Sequence, residues 1–520
     1  MILSGLGDSA LQLDEGVDTF VSTTILKYGI PHHSDGINHT MDFADIYDGL
    51  FVYRTWVPYY LQTVSISLLG QNTLAARLPF ALAGIAAVVA LYFFSIKLMQ
   101  NRMTAFFAAF FLASSVPALL YFRTARYIGL PILLTVLLLY FYLDIYEKKK
   151  WNPLAFIISA VLLFHTMYVE FAGVILGILI HFLLNRKQIS PEHLKTVLKT
   201  GAIIAVFTLP WLIAILPVFS KISEFYTTSS RHVDTTAWRD LKHLSGFLFQ
   251  ANNFIFPLVL VPFFWSERLK KYRPQTSILW ICIITILALS CLHSIPLQQY
   301  IAAGFPLFFI LLALIVVEGL PGKLWMKSAL AGLLIFSNIL HVGPLFPFKP
   351  LIDANQKIFK ANAFLHYTYN TFMREVRFSS SYYDYWTQIF HTYQGPLDRV
   401  IKFFKDHGKP GDSCYIDNER DSLSYYTGMR LLHHKDILDG QIPDWIILRG
   451  EHRFLEKDPS PVGAKLKNII RSFPYQETRL TGPINRINNS YDIQLHLFQS
   501  PVSTDKILIY RLDPEFRRNL

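Results

Sequence analysis

The stretch Leu78-Pro79-Phe80-Ala81-Leu82-Ala83-Gly84-Ile85-Ala86-Ala87-Val88-Val89-Ala90-Leu91-Tyr92-Phe93-Phe94-Ser95-Ile96-Lys97 carries no charge until its last residue. An α-helix rises about 1.5 Å per residue, so a run of this length crosses the roughly 30 Å hydrocarbon core of a bilayer. Comparable apolar runs follow at 104–122, 128–146, 153–168, 170–184, 200–219, 250–265, 277–293, 299–317 and 326–344. The pair between Pro153 and Leu184 reads either as two spans or as one long tilted span, and 250–265 is short for a crossing. The series predicts a mainly α, polytopic transmembrane helical bundle of about ten spans over residues 78–345.

Composition points the same way. The chain is 52% hydrophobic and 16% charged, with a mean hydropathy of +0.32. A soluble domain averages about 45–50% apolar and about 25% charged residues. The formal net charge of +11 needs no nucleic acid to explain it, because basic residues collect in the cytoplasmic loops of membrane proteins. Of 3 cysteines, Cys282 and Cys291 lie in an apolar run and Cys414 in a polar region. That is neither a disulfide framework nor a metal-ligand spacing.

Basic residues also set the expected orientation. Lys97 and Arg102, Lys148 to Lys150, Arg186 and Lys187, Arg268 to Arg273, and Lys323 and Lys327 fall in alternate loops. All can be cytoplasmic at once. Residues 1–77, the turn Arg123–Tyr127, the loop 220–249 and the tail from about 346 then share the opposite face. Residues 1–77, with Lys27, Arg54 and Arg77, would cross the membrane without a span ahead of them. The expectation is therefore that a transmembrane helix precedes residue 1. Asp42, Asp45 and Asp48 beside Phe43, Ile46, Leu50 and Phe51 predict a helix lying along the interface, with Tyr59–Leu69 a second.

The tail 346–520 is a different kind of chain, with short apolar runs between polar turns. Ser413–Asp417, Asp444–Leu448, Ile493–Phe498 and Lys506–Tyr510 read as strands. Pro396–His407 reads as an amphipathic helix, with Leu397, Val400, Ile401 and Phe404 on one face and Gly408 and Pro410 beyond its end. The tail is thus expected to be a small extracytoplasmic α/β or α+β domain.

Chemistry-bearing residues gather on the outer side. Asp14-Glu15 sits at the expected mouth of the bundle. Two adjacent acids in a polar loop are often merely solvated, but a carboxylate in that position can take a proton from an attacking hydroxyl. Arg123-Thr124-Ala125-Arg126-Tyr127 opposes the charge bias of the loops. Its arginines either snorkel to headgroups or clamp an anion such as a lipid phosphate. Arg54 and Arg77 are further candidates at this face. In the loop 220–249, His232 and Asp234 could join Glu15 around a divalent metal ion, although their spacing is not diagnostic. His165 and Glu170 offer the same ligand types at another outer turn. Apart from residues near span ends, no Asp, Glu, Lys or Arg stands at mid-membrane depth, where ion-coupled transporters place them. No Gly-rich phosphate loop is present.

Several segments in order resemble the GT-C glycosyltransferases, in particular the superfamily of protein O-mannosyltransferases and lipid A aminoarabinose transferases. They are Leu13-Asp14-Glu15, Ile25–Pro31, Pro58-Tyr59-Tyr60-Leu61 through Leu68–Asn72, and Ala76-Arg77-Leu78-Pro79 before an apolar span. Arg123–Tyr127, the Pro210-Trp211 span, Tyr425-Tyr426-Thr427-Gly428 and Pro443–Ile447 complete the set. Each is loose alone, and the resemblance covers most of the chain.

The resemblance implies a polyprenyl-phosphate sugar donor, a protein, lipid or glycan acceptor, and a site facing outward from a bacterial or archaeal cell membrane. It implies Asp14 as general base and Glu15 as a second acid that orients the acceptor or helps hold a metal. It also implies Arg123 and Arg126, with Arg54, facing the carrier phosphate, and His232 in a metal-ligand region. The chain departs from the pattern at Val57, where some relatives have a lysine before the proline matching Pro58. It departs again at Gln298-Gln299-Tyr300, where others have a basic residue. A transporter or flippase of lipid-linked glycans and a non-catalytic scaffold share many of these features. Asn38-His39-Thr40 and Asn488-Asn489-Ser490 match the glycosylation pattern without identifying a host.

Overall fold

In the computed structural model, residues 1–40, 47–52, 54–146, 151–189, 191–229, 237–293, 296–348, 380–391, 397–449, 460–483, 493, 496 and 504–518 are described. Helix α1 spans Leu13–Tyr28 and α2 spans Val57–Leu69. Asp14-Glu15 therefore opens a helix rather than lying in a loop. Of the predicted interfacial helix, Asp42 and Asp45 fall outside the described residues. Asp48, at φ +51, and Gly49, at φ +92, form a tight turn instead, and Leu50 bridges to His32.

Asparagine caps then set the bundle's register. Asn72 accepts a hydrogen bond from the Ala75 amide and starts α3, Thr73–Met99. Asn101 accepts from the Met103 and Thr104 amides and starts α4, Arg102–Ser114. Each satisfies donors that a helix N-terminus leaves open. Pro117 cannot continue the hydrogen-bond ladder, so the chain turns at extended Ser115 and α5, Val116–Phe122, leaves α4 at 64°. Helices α6, Gly129–Leu143, α7, Pro153–Phe164, and α8, Tyr168–Asn185, follow. The turn His165–Met167 thus resolves 153–184 into two helices.

Among the described residues, 5 helices are long and apolar enough to cross a membrane, or 6 counting α4 and α5 as one broken span. Three expected spans are shorter apolar helices: Gly129–Leu143, Pro153–Phe164 and Leu324–Phe336. The expected 250–265 span differs most. Pro257 and Pro262 confine its second half to a 3-10 stretch, Leu258–Trp265. The span Gln298–Gly319 is the hub, 94% buried within the bundle, whereas Leu194–Lys221 is only 22% buried and presents its side chains outward.

Small residues bring α8 close to the helix Arg273–Ser290. A Cβ on Gly177 would stand 2.7 Å from Cys282 Sγ, and Thr285 Oγ1 donates to the Gly173 carbonyl at 2.7 Å. Without a hydrophobic drive between helices in lipid, such close approach is a main source of association.

The tail forms a five-stranded sheet, ordered β2-β1-β3-β5-β4, with β1 Ser413–Ile416, β2 Arg430–Leu432, β3 Trp445–Leu448, β4 Tyr475–Pro483 and β5 Thr504–Leu512. β1 runs parallel to β2 and β3, while β5 is antiparallel to β3 and β4. Three expected strands coincide with β1, β3 and β5. Of 493–498, only Ile493 and His496 are described. The amphipathic helix runs Asp398–His407 and buries Val400, Ile401 and Phe404.

The helix Arg420–Thr427 seats this domain on α1. A Cβ on Gly16 would meet the Ser422 amide nitrogen at 2.7 Å, so glycine allows the approach. Tyr425 OH donates to the Asn72 carbonyl at 3.1 Å, and the Leu11 amide donates to Tyr426 OH at 2.9 Å. The Asn38 amide is spent in the same way, on the Met429 carbonyl and the Leu431 amide.

Candidate active site

Three acids on α1 meet arginines delivered by three other segments. Glu15 is the third residue of its helix, and its Oε2 accepts from the Gln12 amide at 3.2 Å, closing a capping box. Arg77, from the first turns of α3, grips the same carboxylate in a fork. Its Nε donates to Oε1 and its Nη2 to Oε2, each at 2.8 Å. The Ala125 amide donates to Oε1 at 2.7 Å. Arg77 also donates to the carbonyls of Leu6, Ser9 and Ala10. This pair is buried, with side-chain exposures of 7% and 3%.

Asp14 and Asp18 lie four residues apart and so share one face of α1. Arg126 Nη1 donates to Asp14 Oδ2 at 2.7 Å, and its Nε reaches Asp18 Oδ2 at 3.4 Å. Arg54 Nη1 pairs with Asp18 Oδ1, and its Nη2 stands 3.6 Å from Asp14 Oδ1. Tyr59 OH donates to Asp18 Oδ1 at 3.2 Å. The result is a quartet of two carboxylates and two guanidiniums. Burial works against the Arg54 charge, but Asp18 and then Asp14 hold the guanidinium well above its ordinary range. Burial, then Asp18, pushes the Tyr59 phenol up, keeping it a neutral donor.

Exposure separates the acids. The Asp14 side chain is 35% exposed, against 4% for Asp18 and 3% for Glu15. Of these three, Asp14 alone is open to solvent.

Arg123 sits apart from the quartet. Its Nη1 donates to the carbonyls of Met1, Ile2 and Ser4, at 2.6, 3.1 and 2.5 Å, and so ties down the N-terminal turn. A small cleft lies beside it, lined by Glu15, Arg77, Arg123, Tyr385 and His496. His232 and Asp234 fall outside the described residues. Both oxygens of Glu15 already accept two hydrogen bonds each, so Glu15 does not fit a metal-ligand role in this arrangement. Among the described residues, no group of three or more potential ligand side chains is assembled.

Asp18 and Tyr59 are site residues that sequence reasoning does not mark as such. The signal for Asp18 is its spacing from Asp14, one helical turn along α1.

The family model described as dolichyl-phosphate-mannose-protein mannosyltransferase matches residues 54–213, the segment that carries Arg54, Arg77, Arg123 and Arg126. The whole chain superposes on the crystal structure of ArnT from Cupriavidus metallidurans in the apo state with a TM-score of 0.55. The identity is 12%, over 98% of this chain and 95% of that one. The chain has a GT-C fold. The structure of the same ArnT bound to undecaprenyl phosphate matches with a TM-score of 0.52 at 14% identity, over 99% of this chain and 96% of that one. No curated protein matches by sequence.

The two departures from the pattern that the resemblance implies have distinct structural settings. Val57, in place of a lysine, spends its amide on the His165 carbonyl at 3.2 Å, and Arg54 supplies a cation three residues earlier. Gln298 and Gln299 are buried in the 3-10 segment Gln298–Gly304, and Tyr300 stacks on His293 with ring centroids 3.5 Å apart.

Proposed function

We propose that this chain is a membrane glycosyltransferase that moves a sugar from a polyprenyl-phosphate carrier to a hydroxyl of a protein, lipid or glycan on the non-cytoplasmic face. The observation that carries the reading is Asp14, a partly exposed carboxylate held between Arg54 and Arg126 in a GT-C fold.

The acceptor oxygen attacks the anomeric carbon while the bond from that carbon to the phosphate oxygen breaks. The electron pair leaves with the phosphate, and the acceptor proton passes to Asp14. A single displacement inverts the anomeric centre. Proton transfer also changes the electrostatics of the quartet. As Asp14 is neutralised, its hold on Arg54 and Arg126 weakens while charge builds on the leaving phosphate. Preorganised cations aimed at developing charge are usually the largest single catalytic contribution. Asp18 and Tyr59 keep both arginines in place and act as positioning residues. Glu15 and Arg77 are a structural brace in this reading, and Arg123 a clasp for the N-terminal turn.

Arg126→Gln is expected to weaken binding of undecaprenyl phosphate to the purified protein in nanodiscs by about 10- to 100-fold, the worth of a charge-assisted hydrogen bond or two. Native mass spectrometry or a fluorescent carrier would read it. An unchanged affinity would remove Arg126 from the phosphate site.

A further inference from the structure

One buried acid has no part in the chemistry above. Glu170, in the first turn of α8, is 2% exposed, and among the described residues its Oε2 has no hydrogen-bond partner. Burying a carboxyl without satisfying it is costly, and native exceptions call for a reason. Its surroundings supply one.

The turn His165–Met167, just before α8, also holds the Arg54 segment. Thr55 Oγ1 donates to the Thr166 carbonyl at 2.6 Å, Val57 donates to the His165 carbonyl at 3.2 Å, and Trp56 Nε1 donates to His165 Nδ1 at 2.7 Å. Arg54 and Glu170 are thus fixed to one scaffold. The Arg126 guanidinium lies over the Tyr127 ring, 5.1 Å from its centroid, and the Tyr127 hydroxyl is within electrostatic range of Tyr300 and Glu170. Tyr127 therefore links the quartet's arginines to the buried acid. The segment Gln298–Gly304 packs beside α8, and among the described residues its Gln299 Oε1 is likewise buried without a partner.

Resting on the transferase reading, we infer that Glu170, assisted by Gln299, accepts hydrogen bonds from hydroxyls of the donor sugar. The unpartnered carboxyl oxygen is an acceptor, and sugar hydroxyls are donors that can meet it. With the carrier phosphate at Arg54 and Arg126, the sugar ring extends past Tyr127 toward Glu170. Glu170 and Gln299 then select the sugar, while Arg54 and Arg126 select the carrier.

A structural role and a recognition role predict opposite stabilities. Glu170→Leu replaces an unsatisfied acid with an apolar side chain of similar size. It should leave the melting temperature unchanged or raised, as is common when a functional group is removed from a buried site. In nanodiscs, affinity for bare undecaprenyl phosphate should be unchanged. Affinity for the best wild-type donor from a panel of undecaprenyl-phosphate pentoses and hexoses should fall at least about tenfold. Gln299→Leu should show the same split at smaller size. Equal losses for the bare and sugar-linked carriers would overturn the inference. So would a lower melting temperature with no change in sugar affinity, or a wild type that binds every sugar-linked carrier no better than the bare one. A wild type that binds neither probe would instead overturn the transferase reading, and this inference with it.

Discussion

Asp14→Asn is expected to lower kcat for sugar transfer about 10²- to 10⁴-fold, the usual contribution of a general base, while the protein folds and binds undecaprenyl phosphate normally. The substitution keeps the shape of the side chain and leaves an oxygen for Arg126 Nη1, now 2.7 Å from the carboxylate. What it removes is the ability to take a proton. Because the Asp14 side chain is 35% exposed, little stability depends on its charge. A steady-state comparison with thermal unfolding separates the two effects. A fall in melting temperature that accounts for the lost activity would assign Asp14 to structure, and undiminished transfer would move the base elsewhere.

Arg77→Ala should act in the opposite sense, costing stability first. Arg77 and Glu15 are both buried and joined by two hydrogen bonds of 2.8 Å. Removing one member of such a pair strands a buried charge and costs about 3–5 kcal/mol. Arg77 also ties the carbonyls of Leu6, Ser9 and Ala10 to α3, so the N-terminal turn loses its anchor as well. Adding Glu15→Gln should return part of the loss, because the stranded charge is gone and contacting residues couple. The reading is the unfolding midpoint of the two singles and the double in one detergent. If Arg77→Ala unfolds at the wild-type temperature but loses affinity for undecaprenyl phosphate, Arg77 belongs to the carrier site and not to the brace.

These two residues show how far the sequence could be read. The long apolar runs announced membrane helices because uncharged length is a local property, and α3 begins and ends close to its apolar run. The shortness of 250–265 was the sign that it would not be an ordinary span, and Pro257 and Pro262 are the physical reason. Asp14 and Arg126 stood out because ionisable groups at the mouth of a bundle need a reason. Apart from the resemblance, nothing in the residues themselves told Asp14 from Glu15. Asp14 and Glu15 are neighbours in sequence, yet α1 turns them about 100° apart, one toward Arg126 and the other toward Arg77. The partners come from 112 and 62 residues away, and no spacing rule reaches that far. Arg123 and Arg126 likewise looked equivalent in one short turn. One ties backbone carbonyls and the other faces two aspartates. In the tail, β1 and β3 are apolar runs and were evident. β2 is three residues long and β4 is rich in polar residues, so both depend on their neighbours for pairing.

The most direct test uses the full chain in liposomes, with an undecaprenyl-phosphate sugar labelled in both sugar and carrier, and cell-envelope acceptors outside. The account predicts that free undecaprenyl phosphate appears in step with glycosylated acceptor, with inversion at the anomeric carbon and loss of both products in Asp14→Asn. Sugar-linked carrier that crosses the bilayer intact, with no free undecaprenyl phosphate formed, would contradict it and make the chain a flippase.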